Sequence, residues 1–272
     1  MFEENFDKIY NMGIDLGQEG KIEEAISCFD EILKQIEKNS DINNPDLIEK
    51  ELIADIWFNK GILFSKINKL DKSIQCYDKS IELEPLNSKV LVNKGVVLNQ
   101  MNDLENAIQC YNDALLIDPT SMNCWFNKGN VLRKQNKLKN ALICYKNALL
   151  LDPHPEIWYN TSLILEKMEQ YENAIYCYER ALDLSPRNNQ IWSSKGSLLN
   201  KLNKNDDALE ALDVALSIKV EPDTLYDKGM IYFKINKPND ALECFEVILE
   251  MDPDNKKALS ARKIAKKIMN SL

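Results

Sequence analysis

The phrase "WFNKG" stands at 57–61 and again at 125–129, 68 residues on, and "LVNKG" at 91–95 lies 34 residues from each copy. A phrase that recurs at a fixed interval of 34 residues marks a chain built from one supersecondary unit written many times. With the Gly taken as position 8 of the unit, the other markers fall into register. Position 4 holds Ile9, Trp57, Leu91, Trp125, Trp158, Trp192 and Leu225, a column that contains all 4 Trp of the protein. Position 8 holds Gly13, Gly61, Gly95, Gly129, Ser162, Gly196 and Gly229, and position 20 holds Ala25, Ser73, Ala107, Ala141, Ala174, Ala208 and Ala241. Position 24 is Phe29, Tyr77, Tyr111, Tyr145, Tyr178, Leu212 and Phe245, and position 32 is Pro85, Pro119, Pro153, Pro186 and Pro253.

These columns predict helices. Positions 4, 8 and 11 are spaced as one helical stripe. Small residues at 8 and 20 let two helices approach closely, with the large residues at 4 and 24 filling the space around them. Position 15 is Gly20, Asn68, Asn102, Asn136, Asn203 and Asn236, residues that accept the left-handed conformation ending a helix. Pro at 32 stops the second helix. A lone hairpin of this kind cannot bury its apolar face, so neighbours are expected to stack on it.

The units run 6–39, 54–87, 88–121, 122–154, 155–188, 189–221 and 222–255 within a single solenoid over 1–272. An insertion occupies 40–53, where Pro45 reads as the start of one long helix of about 22 residues running into Trp57. The sixth unit departs from the pattern, with Leu212 for the aromatic and Val220 for Pro. Residues 256–272 carry Ala261, Ile264, Ala265, Ile268 and Leu272 at helical spacing, beside Lys257, Arg262, Lys263, Lys266 and Lys267, as a capping helix would.

The joint pattern of large apolar at 4, small at 8 and 20, aromatic at 24 and Pro at 32 resembles the tetratricopeptide repeat (TPR) family, over about 250 residues. The stretch "WFNKGNVLRKQNKLKNALICYKNALLLDP" at 125–153 is similar to TPR proteins of methanogenic archaea. The resemblance implies an all-α, right-handed α-α superhelix of seven hairpins plus the cap.

Composition narrows the function. The net charge of −9 disfavours a nucleic-acid partner, because phosphate is repelled unless the basic residues are segregated. Apolar runs such as "ALLLD" at 148–152 are far too short for a membrane span, and the acidic "MFEENFDKIY" argues against a signal peptide. With 7 Cys and no such signal, a reducing cytoplasm is expected. No catalytic constellation, cofactor motif or metal site is expected. The only histidine, His154, reads as a loop residue between two prolines. Cys28, Cys76, Cys110, Cys144, Cys177 and Cys244 all occupy position 23, where stacked repeats hold them too far apart for disulfides. They are expected to be packing residues, with Cys124 the exposed exception.

The middle Asn of "WFNKG" opens a column at position 6: Asn11, Asn59, Asn93, Asn127, Asn160, Ser194 and Asp227. Two residues from the Trp is about 200° around a helix, so this Asn faces away from the packed side. In the TPR architecture that side lines the concave groove. A primary amide has donors and an acceptor, and a row of them suits the C=O and N–H of an extended peptide. The column resembles the asparagine ladder of O-linked N-acetylglucosamine transferases, which holds peptide main chain. Phe58, Phe126 and Tyr159 at position 5 would suit peptide side chains, while Lys134 and Lys167 at position 13, with Arg133 adjacent, make a basic stripe that favours a ligand with an acidic segment. The carboxylate clamp of chaperone-binding TPR domains, Lys at 5 and Asn at 9, is absent as a set, since only Asn130 fills position 9. A non-enzymatic scaffold holding an extended peptide or partner protein is therefore expected. The alternative is a structural subunit, a homo-oligomer included, that docks through its ends or convex face. Position 7 breaks the pattern: Lys60, Lys94, Lys128, Lys195 and Lys228 stand where Leu is expected.

Overall fold

The computed structural model describes residues 2–39 and 47–270. Fifteen helices and no strand occur among them: α1 (Phe2–Gln18), α2 (Ile22–Asn39), α3 (Leu47–Lys66), α4 (Leu70–Leu83), α5 (Ser88–Gln100), α6 (Leu104–Ile117), α7 (Met122–Lys134), α8 (Leu138–Leu151), α9 (Pro155–Lys167), α10 (Tyr171–Leu184), α11 (Asn189–Lys201), α12 (Asn205–Ile218), α13 (Pro222–Lys234), α14 (Pro238–Met251) and α15 (Lys256–Met269). They pair in order as seven hairpins, with α15 left as the cap on α14. The chain packs as two compact units, Met1–Leu151 and Asp152–Leu272. Within each, a second helix packs on the first helix of the next hairpin.

The core is made of repeat columns. Position 24 is buried throughout, with Phe29, Tyr77, Tyr111, Tyr145, Tyr178, Leu212 and Phe245 in the hairpin interiors. The small column at 8 is required there. A Cβ added to Gly61, Gly95 or Gly129 would lie 2.4, 2.7 or 2.5 Å from the facing tyrosine ring. Position 20 is equally buried, and Ser73 keeps its hydroxyl satisfied by donating to the Gly61 carbonyl at 2.7 Å.

Position 15 ends each first helix as expected. Asn68, Asn102, Asn136, Asn203 and Asn236 have φ between 57° and 63°, and Gly20 has 82°. Glu169 fills the same position in the fifth repeat at φ 60°, without the asparagine that tolerates it. Glu169→Asn should therefore raise stability by about 0.5–1 kcal/mol, seen as a higher Tm. Helices α4, α6, α8, α10 and α14 stop shortly before their prolines, while α12 ends at Ile218 without one.

Three expectations need correcting or bounding. Helix α3 begins at Leu47 and has 20 residues, and Pro45 and its proposed start lie outside the described residues. In the cap, Ala258, Ala261 and Ala265 are buried, but Ile264 is 53% exposed because only the narrow alanine edge of α15 fits against α14. Leu272 lies outside the described residues. Cys124 is fully buried, since position 3 is itself a core column: Ile56, Val90, Ile157 and Ile191 occupy it elsewhere. Its thiol donates to the Tyr111 carbonyl at 3.4 Å.

Candidate functional site

Successive first helices touch one another, α1–α3, α3–α5 and α5–α7 in the first unit and α11–α13 in the second. Side chains at positions 5, 6, 12 and 13 lie along this layer and bond across it. The Asn59 amide donates to Tyr10 Oη and to the Asp55 carbonyl, both at 2.9 Å, which uses both of its hydrogens. The Asn93 amide donates once, to the Lys89 carbonyl at 2.9 Å, and keeps a donor and an acceptor. Asn127 is half-buried on α7 with no side-chain hydrogen bond among the described residues. Asn11 is exposed on α1, and Asn160 is buried on α9 in the second unit.

The aromatic column has a packing role. Phe58, Phe126 and Tyr159 sit on the position-24 rings of their own hairpins, Tyr77, Tyr145 and Tyr178, with centroids 6.1, 6.0 and 6.1 Å apart. Each remains half-buried, so one edge faces the layer.

The basic column is stitched to neighbours. Lys134 Nζ donates to Asn99 Oδ1 at 2.7 Å, Lys66 to the Gly17 carbonyl at 3.4 Å, and Lys234 to the Asn200 carbonyl at 3.0 Å. In each case position 13 reaches position 12 of the preceding repeat. Arg133 keeps a buried Nε with no partner among the described residues, and Lys167 is exposed at the end of α9. In the second unit hydroxyls take over most of these bonds: Tyr159 pairs with Ser194 at 3.3 Å and Ser193 with Thr224 at 3.0 Å, and the Ser197 hydroxyl donates to the Asp227 carboxylate at 2.7 Å.

Four of the five lysines at position 7 find acids at position 25 of the preceding repeat, while for Lys128 that position is Asn112. Lys94 meets Asp78 at 2.5 Å, Lys195 meets Glu179 at 3.0 Å, Lys228 meets Asp213 at 2.5 Å, and Lys60 pairs with Asp30. Burial would lower the pKa of Lys228, but its hydrogen bond and Coulomb attraction to Asp213 outweigh that and raise it. The Lys60 side chain is only 6% exposed and also lies over Trp57, 4.3 Å from the ring centroid. Asp30→Ala, which strands that ammonium, should cost about 1–3 kcal/mol. Lys60→Met removes the desolvation together with the pairing and should stay within about 1 kcal/mol of wild type. Thermal unfolding of both variants checks the contrast.

The tryptophans at position 4 serve the same joints. Trp125 Nε1 donates to the Pro119 carbonyl at 3.0 Å and Trp192 Nε1 to the Pro186 carbonyl at 2.9 Å, each to the proline that ends the preceding repeat. His154, read as a loop residue, caps α9, its Nδ1 accepting from the Glu156 N–H at 3.4 Å.

All 7 cysteines are buried thiols. Burial pushes Cys76, Cys177 and Cys244 up to about 11 and Cys124 to about 12. Little thiolate forms near neutrality, so the native chain should resist iodoacetamide at pH about 8 and react at every cysteine in denaturant. Rapid native alkylation would contradict this. Because the folded Cys76 thiol holds its proton more tightly than its ordinary 9.0, this contribution to stability is complete below about 9 and falls as the pH rises through about 11. Among the described residues no three His, Cys, Asp or Glu converge as a metal site would need, and no helix is long and apolar enough to cross a membrane.

The sequence profile described as "Tetratricopeptide repeat" matches residues 54–87, 88–121 and 123–155, and a second of the same description matches 155–188 and 222–255. Together these cover more than half of the chain. TPR repeat-containing protein MJ0941 of Methanocaldococcus jannaschii is 42% identical over 45 residues, 16% of this chain and only 13% of that relative. Among solved structures the chain is similar to YrrB, a TPR protein with an unusual peptide-binding site: TM-score 0.59, 25% identity, covering 69% of this chain and 97% of that one. It also shares its fold with the C-terminal part of a TPR repeat-containing protein from Cytophaga hutchinsonii: TM-score 0.73, 17% identity, covering 93% and 98%.

Proposed function

The chain belongs to the tetratricopeptide repeat family, and from that premise we propose that the first-helix layer of its first unit holds an extended peptide of a partner protein. Repeats of this family are generally protein-interaction modules, so the chain is an interaction scaffold. The observation that carries the finer reading is the amide accounting on α5 and α7. Among the described residues Asn127 has no side-chain hydrogen bond and Asn93 keeps a donor and an acceptor, whereas the Asn59 amide is used up on Tyr10 and Asp55. Such half-buried amides match the alternating C=O and N–H of an extended main chain. Phe126 and Val92 beside them offer apolar edges for alternate side chains. The unpartnered Arg133 Nε and the exposed Lys134, once released from Asn99, favour an acidic segment. The likeness to YrrB adds support. A reducing cytoplasm suits the free thiols.

The test is capture from native lysate on immobilised wild type and on Asn93→Ala/Asn127→Ala. A partner held by wild type and lost by the variant is expected. A partner held equally by both would contradict the reading. Asn59 is left intact because its bond to Tyr10 joins α3 to α1.

A further inference from the structure

A second surface lies on the outer side of α8. Lys139, Ile143, Lys146 and Leu150 point outward along one stripe, and Ile143 and Leu150 are 59% and 74% exposed. Neither lysine has an ionic partner among the described residues, and α8 contains no acid. Leu116, equivalent to Leu150 on the preceding second helix α6, is 83% exposed and extends the apolar part. A basic and apolar stripe repels a copy of itself, which excludes α8 against α8. Elsewhere in the chain, α14 carries the complementary pattern. Glu243, Val247 and Glu250 repeat the spacing of Lys139, Ile143 and Lys146, charge, then apolar four residues on, then charge three further, with the opposite sign. Glu243 and Glu250 make no ion pair among the described residues, and Val247 and Met251 are 38% and 51% exposed. The charges on each helix stand seven residues apart, about 10.5 Å, so two ion pairs form in one register with Ile143 against Val247.

We propose that the α8 stripe of one copy docks on the α14 stripe of a second copy. The surface is separate from the first-helix layer and stands whether or not that layer binds peptide. The contact joins two different patches, so it is head-to-tail and grows beyond a dimer unless a ring closes. A single helix-on-helix contact buries less than the roughly 1,200 Å² of a stable interface, so association is weak and salt-sensitive.

Sedimentation of the full chain tests it. At low salt the average mass should rise past dimer with concentration, and high salt should reverse it. Lys139→Glu/Lys146→Glu should weaken association about tenfold or more, and so should Glu243→Lys/Glu250→Lys. The four changes in one chain should restore it, which a merely misfolded variant would not do. A concentration-independent monomer at low salt, or association indifferent to both pairs of reversals, would overturn the proposal. So would binding of wild type to anionic lipid vesicles through Lys139 and Lys146 without self-association, which would make the stripe a membrane-surface contact.

Discussion

Tyr145→Ala should lower the stability of the chain by about 4 kcal/mol, and Gly129→Ala by about 1–2 kcal/mol. The ring of Tyr145 is fully buried between α7 and α8, its hydroxyl donates to Asn130 Oδ1 at 2.7 Å, and nothing smaller fills that volume. A Cβ on Gly129 would meet the ring at 2.5 and 2.6 Å and Cys144 Cβ at 3.3 Å, so ring and helix have to separate. Alanine's better helix propensity returns about 1 kcal/mol of that strain. The two changes together should cost less than their sum, because without the ring the Cβ has room. Urea unfolding of the wild type, both single variants and the double variant measures this coupling. Strict additivity would mean that Gly129 is not there for the ring. In repeat arrays stability is local, so the loss should also open the fourth repeat before the others.

Much of the fold was readable in the sequence because it depends on one residue per column. Tyr145 facing Gly129, Asn136 ending α7 and Pro153 following α8 each act within one hairpin, and a linear alignment displays such pairs directly. The joints between hairpins were harder. Lys94 looked like a misplaced leucine until Asp78, sixteen residues earlier, proved to be its partner. The signal was present, since acids at position 25 precede the lysines in four repeats, but it appears only when columns of adjacent units are compared. Lys134 was read as part of a basic stripe, whereas it spends its charge on Asn99. Cys124 was misplaced because a single deviant residue hides its membership of an apolar column. For the candidate site, the column of asparagines was legible, but the state of each amide was not. That Asn59 is used by Tyr10 while Asn127 is unengaged among the described residues follows from the residue that happens to face each one across the layer.

That difference makes the second prediction specific to two residues. Each ligand-bonded amide that is removed leaves a main-chain group of the bound peptide unsatisfied, at about 1–2 kcal/mol. Losing Asn93 and Asn127 together should therefore weaken binding on the order of 100-fold. The helical content of the chain should not change, because neither side chain bonds outside its own helix. Replacing Ser194, already bonded to Tyr159, should matter far less.

The most direct measurement is a calorimetric titration of the partner's binding segment into wild type and Asn93→Ala/Asn127→Ala. A Kd raised about 100-fold in the variant, at unchanged helicity, is the result predicted for a layer that reads peptide main chain. An unchanged Kd would contradict it and move the interface away from the asparagine column.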